Sequence, residues 1–439
     1  MKKIITVICC SVCCGIAAAQ GTYTLEQLKQ LAVENNYKLR SARNTILQSK
    51  EVKSEALTKY FPQVSALGFG FQNNKPMIDL DVELPDVIAG LIPQDLIPAN
   101  ISLMKKGVYG SVSAIQPVFM GGQIINGNKL AKVGVEASEL QMEVSADEVE
   151  LITEQYYWKV VSLKEKMKTL ASLHDMIEQL EKDVSNMVRV GAVNRNDLLQ
   201  VQLRKGEVES AQLELENGLA TVSQLLAQHI GKVGEKIDVV ALDGSPVGTV
   251  PALPVALRQD HQSALAVTPQ YRLLEKNVES HRLQHKLKVG QNMPSVGVGA
   301  SYSYNDFFEK SSSAMVFAAV QVPISGWWGG SHAIKRQKLA LQDAQEQMED
   351  NGQKLVIRMN NAWAAVETSH KKLLIAHDAI EQAEENLRLN KDYYRVGSTK
   401  MSDLLLAQQQ YQQARDRYTD AFADFQTKQL EYRQATGQE

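Results

Sequence analysis

Two aspartates hold the same place in two near-copies of one motif. Asp197 lies in "VRVGAVNRNDLLQVQ" at 188–202 and Asp403 in "YRVGSTKMSDLLLAQ" at 394–408, with seven of fifteen positions identical. An acid just after a turn and just before an apolar run belongs in the first turn of a helix, facing the positive end of the backbone dipole. The other chemistry-bearing spacings point less sharply. His281 and His285 stand i, i+4, the spacing of a two-histidine metal pair on one helix face. No nearby cysteine or second acid cluster completes such a site, and the positions that correspond in the repeat are Ser49 and Lys53. They read as ordinary surface histidines, and no metal is assigned. "GVGAS" at 297–301 and "GGQIING" at 121–127 look like nucleophile or phosphate loops. The first lies within a strand-like alternation, and the second lacks the Lys-Ser/Thr that holds phosphate. Trp327 and Trp328, adjacent at a strand-to-helix corner, fit interfacial aromatics at a membrane headgroup level better than ligand-stacking residues. No Ser/His/Asp or paired-carboxylate arrangement can be placed, so neither catalytic residues nor a cofactor is assigned.

The chain opens "MKKIITVICCSVCCGIAAAQ": basic Lys2 and Lys3, an apolar run over 4–16, then small Ala17, Ala18 and Ala19. This predicts a secretory signal peptide over 1–19, cut after Ala19, since the run is shorter than the roughly 20 residues that span a bilayer. All four cysteines, Cys9, Cys10, Cys13 and Cys14, fall inside it. The exported chain then uses neither disulfides nor thiol chemistry, and packing and assembly must supply its stability. Without the two leader lysines, 45 basic residues face 50 acidic ones. That mild acidity and the lack of a basic stripe argue against a nucleic-acid partner. No later apolar run is long enough for a transmembrane helix, so any membrane contact is expected through strands.

The repeat organises the rest. "ENNYKLR" (34–40) matches "VTPQYRL" (267–273) in pattern, "FPQV" (61–64) matches "MPSV" (293–296), and "QPVFMGG" (116–122) matches "QVPISGWWGG" (321–330). The offset falls from 232 to 206 between the last two pairs, so the first copy carries about 26 extra residues around "MIDLDVELPDVIAGLIPQDLIPAN". The first repeat is placed at 20–232, an inter-repeat linker at 233–253 and the second repeat at 254–439. Each copy runs helix, proline, strand segment, proline, Gly-rich corner, long helix, Val-Gly turn, helix.

The segments between the prolines alternate as strands do. Val296, Val298, Ala300, Tyr302 and Tyr304 oppose Ser295, Gly297, Gly299, Ser301 and Ser303, while Val316, Ala318, Val320 and Val322 oppose Met315, Phe317, Ala319 and Gln321. β-Hairpins are placed at about 62–119 and 294–323. In the first copy Leu67, Phe69 and Phe71 oppose Val64, Ala66 and Gly68, and either set could be the lipid face. Two isolated hairpins in a helical chain have nowhere to bury a face or satisfy an edge, and closure into a barrel with other copies solves both problems.

The helical stretches repeat every seven residues: Met359, Val366, Leu373, Ile380, Leu387 and Tyr394, then Leu404, Tyr411, Tyr418, Phe425 and Tyr432. The first copy has Tyr156, Leu163, Leu170, Ile177 and Val184, then Val201, Val208, Leu215 and Val222. This period predicts coiled-coil packing. The stretch 124–189 reaches on the order of 100 Å as one helix, too long for a globular core. Gly191 and Gly397 can take the left-handed conformation that ends a helix, with Asn196 and Ser402 as N-caps of the return helices. The repeated motif is therefore the tip of a helical hairpin, at about 188–197 and 394–403.

With "YTLEQLKQLAVENN" after the leader, proline-started strands, "PVFMGG" and both Val-Gly tips in this order, the chain resembles the TolC-like outer membrane efflux proteins along essentially its whole exported length. The resemblance implies a mainly α protein with a membrane β-barrel portion. Each subunit of a homotrimer would give four strands to a 12-stranded barrel in outer membrane lipid and helices to a periplasmic tunnel. It implies an outlet of a tripartite efflux or type I secretion system in the outer membrane of a Gram-negative bacterium, a passive conduit rather than an enzyme. A periplasmic adaptor and an inner-membrane pump would be its partners. It also implies that the tunnel closes at the hairpin tips, where Asp197 and Asp403 would ring the aperture. Tyr394 keeps the aromatic of that motif, whereas Thr399 stands where an arginine often ties the tip shut, with Lys400 beside it. The prolines of the insertion, Pro76, Pro85, Pro93 and Pro98, predict an outer loop folded over the barrel mouth rather than regular structure. A poreless periplasmic coiled-coil scaffold or adhesin explains the heptads and turns, but not the four alternating strands.

Overall fold

The computed structural model describes residues 21–81, 100–103, 105–240, 250–306, 310–324 and 326–438. The leader lies outside them, as does residue range 82–99 of the insertion, and with it the expected outer loop. The first repeat comprises β1 (Gly21–Tyr23), α1 (Leu25–Asn35), α2 (Tyr37–Thr58), β2 (Gln63–Gln72), β3 (Ile78–Asp81), β4 (Asn100–Leu103), β5 (Lys106–Phe119), α3 (Gln123–Arg189) and α4 (Arg195–His229). After β6 (Ile237–Val239), the second comprises α5 (His261–Leu265), α6 (Pro269–Gly290), β7 (Ser295–Asn305), β8 (Ser311–Gln321), α7 (Gly326–Arg395) and α8 (Met401–Ala435). Two compact units cut across these repeats. One holds 46–138 and 274–348, hence the strands of both hairpins; the other holds 1–45, 139–273 and 349–439, hence both helical hairpins.

In the strand unit, β2, β5, β7 and β8 form one antiparallel sheet in that order, so hairpins from the two repeats join through β5 and β7. The register decides which side chains share a face. Val64, Ala114, Ala300 and Val316 form one row across the sheet, and Ala66, Val112, Tyr302 and Ala314 the next. On the other face the rows are Ser65, Ser113, Ser301, Met315 and Leu67, Ser111, Ser303, Ser313. Hydroxyls bond within them, Ser65 to Ser113 and Ser303 to Ser313, both at 3.0 Å. One face is apolar throughout these rows; the other carries hydroxyls. The ends of the insertion depart from the expectation of no regular structure, because β3 and β4 pair antiparallel. These short segments contain no proline, and so keep every donor the ladder needs. "GVGAS" lies inside β7, as its alternation implies. The Gly-Gly corner serves close backbone packing rather than phosphate: Gly121 has φ 59°, and a Cβ there would lie 2.4 Å from the Gly290 carbonyl oxygen.

In the helical unit the heptad positions are the core. Met359, Val366, Leu373, Ile380 and Leu387 are buried along α7, Leu404, Tyr418, Phe425 and Tyr432 along α8, and Leu170, Ile177 and Val184 along α3. Small residues sit where helices approach, with Ser369, Ala407 and Ala414 buried among them. The N-terminus is secured locally. Thr24 caps α1 in a reciprocal box with Gln27, so "YTLEQ" reads as a helix start. Residues 233–253 are more than a connection, since β6 within them pairs in parallel with β1 and Lys164 bonds both Asp238 Oδ1 and the Val239 carbonyl. Among the described residues no helix is long and apolar enough to cross a membrane.

Candidate functional site: the helical hairpin tips

Both tips are built by one device. α3 ends at Arg189; Gly191 N–H donates to the Val188 carbonyl and Ala192 N–H to the Met187 carbonyl, with Gly191 at φ 77°. α7 ends at Arg395 with the same two bonds, Gly397 to Tyr394 and Ser398 to Tyr393, and Gly397 at φ 73°. These are the paired bonds of a left-handed glycine cap, which satisfy carbonyls the helix end would leave open. A Cβ at either glycine would meet nothing within 4 Å, so the backbone angle alone demands glycine here.

The return helices begin two residues earlier than expected. Asn194 and Lys400 are the N-caps, neither with a side-chain cap bond, so Asn196 and Ser402 lie within the first turn. In the second tip the cause is Met401, 1% exposed, which must lie on the helix to share a face with buried Leu404 and Gln408. Asp403 thereby becomes the third helical residue. Thr399 Oγ1 donates to its Oδ2 at 2.9 Å and Ser402 Oγ to its Oδ1 at 3.4 Å. The Thr399 hydroxyl, then the Lys400 backbone N–H, the Ser402 hydroxyl and the Lys400 charge hold its carboxyl below the ordinary aspartate range. Asp403 and Lys400 are exposed, and Asp197 is half-buried in the first turn of α4.

One apolar cluster joins the tips. Leu170, Ile177 and Val184 of α3, Val201 of α4, Leu387 of α7, and Met401 and Leu404 of α8 pack together, with Val193 and Tyr394 at its margin. Tyr394 is therefore brought beside the first tip. Its phenol is pushed above the ordinary tyrosine range by burial and, secondarily, by the negative charge of Asp197. Its hydroxyl is buried and makes no hydrogen bond. The repeated motif thus places Tyr394 and Asp197, from different repeats, in one electrostatic environment.

Sequence reading missed the polar residues that bind the hairpins together. Gln408 is 1% exposed, with Nε2 on Met176 Sδ at 3.2 Å and Oε1 without a partner. Its signal was present as a glutamine at apolar spacing after Met401 and Leu404. Arg204 donates to Gln412 Oε1 at 3.0 Å, linking α4 to α8. Lys205 pairs with Glu181 at 3.0 Å, linking α4 to α3. Such cross-helix partners have no sequence spacing of their own.

The remaining candidates lie in the strand unit. Trp327 and Trp328 open α7; Trp327 is partly exposed with its indole N–H on the Asn292 carbonyl at 2.9 Å, and Trp328 is 79% exposed. His281 and His285 are half-buried on α6 rather than on the surface, because that helix packs its Leu283 side inward. The described residues contain no group of three or more histidine, cysteine or acidic side chains that could hold a metal.

Residues 261–438 match the family model described as outer membrane efflux protein. The outer membrane efflux protein BepC of Brucella suis biovar 1 (strain 1330) is 22% identical over 255 residues, covering 57% of this chain and 53% of that protein. The match thus spans about half the length of the curated relative. Among solved structures, CusC superposes with a TM-score of 0.79 at 14% identity, covering 95% of this chain and 93% of that one. The open state of the Neisseria gonorrhoeae MtrE outer membrane channel gives a TM-score of 0.72 at 17% identity, with 94% and 89% coverage. The family match covers the second repeat and the fold match both, so the second repeat is similar to outer membrane efflux proteins and the whole chain shares the fold of these channels.

Proposed function

We propose that this protein is the outer membrane outlet of a tripartite efflux or type I secretion system. In this reading it is a passive homotrimeric conduit from periplasm to exterior that needs no catalytic group. The observation that carries it is the sheet: four strands with β2 and β8 at its edges and one face apolar from Val64 to Val316. An open sheet with two edges and an apolar outer face calls for neighbours on both sides and lipid around it. Three copies would give 12 strands, closing the barrel in outer membrane lipid. The hydroxyl-bearing face then lines the lumen, and Trp327 and Trp328 lie at the headgroup level.

The tips would form the periplasmic aperture. Asp197 and Asp403, with Tyr394 and Lys400 beside them, would stand near the three-fold axis in three copies each, where a periplasmic adaptor and an inner-membrane pump control opening. Cargo choice would belong to those partners. Outer membrane fractionation with heat-modifiable gel mobility tests the proposal. A detergent-resistant trimer that conducts in planar bilayers is expected. A soluble periplasmic species without conductance would instead leave a coiled-coil scaffold.

A further inference from the structure

A cavity of about 680 Å³ lies on the hydroxyl-bearing side of the sheet, where Ile115 and Ala319 meet Ala56 of α2, Ile124 of α3 and Leu287 of α6. That volume falls within the roughly 300–1,000 Å³ of small-molecule sites, and an apolar wall with few polar groups is their usual composition. Two charges also line it, Glu55 and Lys59, both from α2. Glutamate four residues before lysine is the favourable order for a helical ion pair. Pairs at the same spacing do close elsewhere in this chain, Lys182 with Glu178 at 3.1 Å and Lys354 with Asp350 at 2.5 Å. Glu55 and Lys59 form no such pair; both residues line the cavity and both are exposed.

We infer that this cavity binds amphiphiles carrying a zwitterionic head, the apolar chain against Ala56, Ile115, Ile124 and Leu287 and the two head charges on Glu55 and Lys59. One carboxylate and one ammonium on neighbouring turns complement a headgroup that carries a cation and an anion, and neither a pure cation nor a pure anion satisfies both. The site opens on the face of Ser65, Ser113 and Ser301, not on the apolar face that lipid would cover. Its ligand therefore arrives as cargo through the lumen, a route that rests on the outlet reading above.

The test uses the full trimer held in amphipol, with Ala56→Cys as reporter, since the native cysteines all lie within 9–14. Maleimide labelling is timed with dodecylphosphocholine below its micelle concentration, and with dodecyl maltoside as the uncharged head on the same chain. Ser313→Cys, on the same face but outside the cavity, is the control. Dodecylphosphocholine is expected to slow labelling of Ala56→Cys about tenfold, as site occupancy near 90% requires, and to leave the control unchanged. Glu55→Gln combined with Lys59→Gln should reduce that protection to the level of the maltoside. Equal protection by the two amphiphiles in the native background, or none by either, overturns the proposal. Should Ala56→Cys not assemble, Ile124→Cys replaces it. Conductance of the same preparation judges the outlet reading separately: a conducting trimer without protection rejects the site alone, and protection without conductance rejects the route alone.

Discussion

Thr399 donates its hydroxyl to Asp403 at 2.9 Å across the start of α8. The residue that, by the resemblance drawn from the sequence, stands in place of a tip-locking arginine is thus not idle. It ties the acid of its own tip into the helix cap, a local bond in place of a long-range one. Asp403 serves the helix start and, under the aperture proposal, would also present a charge to the axis.

The bond has a pH consequence. The carboxyl of Asp403 is held below its ordinary range, first by the Thr399 hydroxyl. A group depressed in the folded state contributes stability above its unfolded pKa and loses it as pH falls through the lower, folded value. The charge of the tip should therefore persist into pH values at which an ordinary aspartate is protonated. Thr399→Val should shift the Asp403 titration upward, read by carboxyl NMR on labelled protein, and should make any acid-induced loss of cation selectivity begin at higher pH. An unchanged titration would mean that the hydroxyl is not the main partner.

The aperture proposal predicts that Asp403→Asn lowers cation selectivity and divalent-cation block in planar bilayers without altering trimer stability. Asp197→Asn should have the smaller effect, because Asp197 is half-buried whereas Asp403 is exposed. Like charges gathered at one axis favour cation occupancy, and neutral amides remove that preference. If the double substitution leaves selectivity and block unchanged, the acids serve only their helix starts.

Tyr394 offers a different test. A buried hydroxyl without a partner costs roughly 1–3 kcal/mol of desolvation, so Tyr394→Phe should keep the ring packing and raise stability by about 1 kcal/mol. Urea unfolding of the protein measures this. A loss of that size would show instead that the hydroxyl finds a partner, with Asp197 the nearest charged candidate.

The glycines divide by mechanism. Gly397→Ala meets no atom but must hold φ near 73°, which costs about 1–2 kcal/mol, and asparagine there should recover part of it. Gly121→Ala drives its methyl into the Gly290 carbonyl at 2.4 Å and should abolish assembly. Thermal stability of the two variants separates a strained turn from a clash.

How much was legible follows from which interactions are local. The heptads of α3, α4, α7 and α8 and both glycine caps depend on residues within a few turns, and they were read directly: Met359, Leu373, Val201 and Leu404 are all buried. The start of α8 was misplaced because Met401 is pulled into a core that α3 and α7 complete from far along the chain. Tyr394 beside Asp197, Arg204 on Gln412 and the cavity of Glu55 and Lys59 likewise need elements from both repeats or distant segments. The lipid face of β2 stayed open for the same reason. Alternation separates Val64, Ala66 and Gly68 from Leu67, Phe69 and Phe71, but only pairing with β5, and through it β7, joins the first set to Ala300 and Tyr302.

That assignment is tested by two neighbours on β7. Ala300 lies in the apolar row with Val64, Ala114 and Val316, and Ser301 in the hydroxyl row with Ser65, Ser113 and Met315. An arginine on the lipid face near the midplane of a barrel costs about 2–4 kcal/mol, whereas one in the lumen stays hydrated. Ala300→Arg should therefore reduce the heat-modifiable trimer recovered from the outer membrane, and Ser301→Arg should leave its yield intact. The second variant should instead shift conductance toward anions, since its guanidinium would stand beside the Ser65 and Ser113 hydroxyls on the face proposed to line the lumen. The opposite outcome, insertion of Ala300→Arg with loss of Ser301→Arg, would reverse the two faces. Leu67, Phe69 and Phe71 would then face lipid, and the cavity bounded by Glu55 and Lys59 would lie on the bilayer side of the sheet.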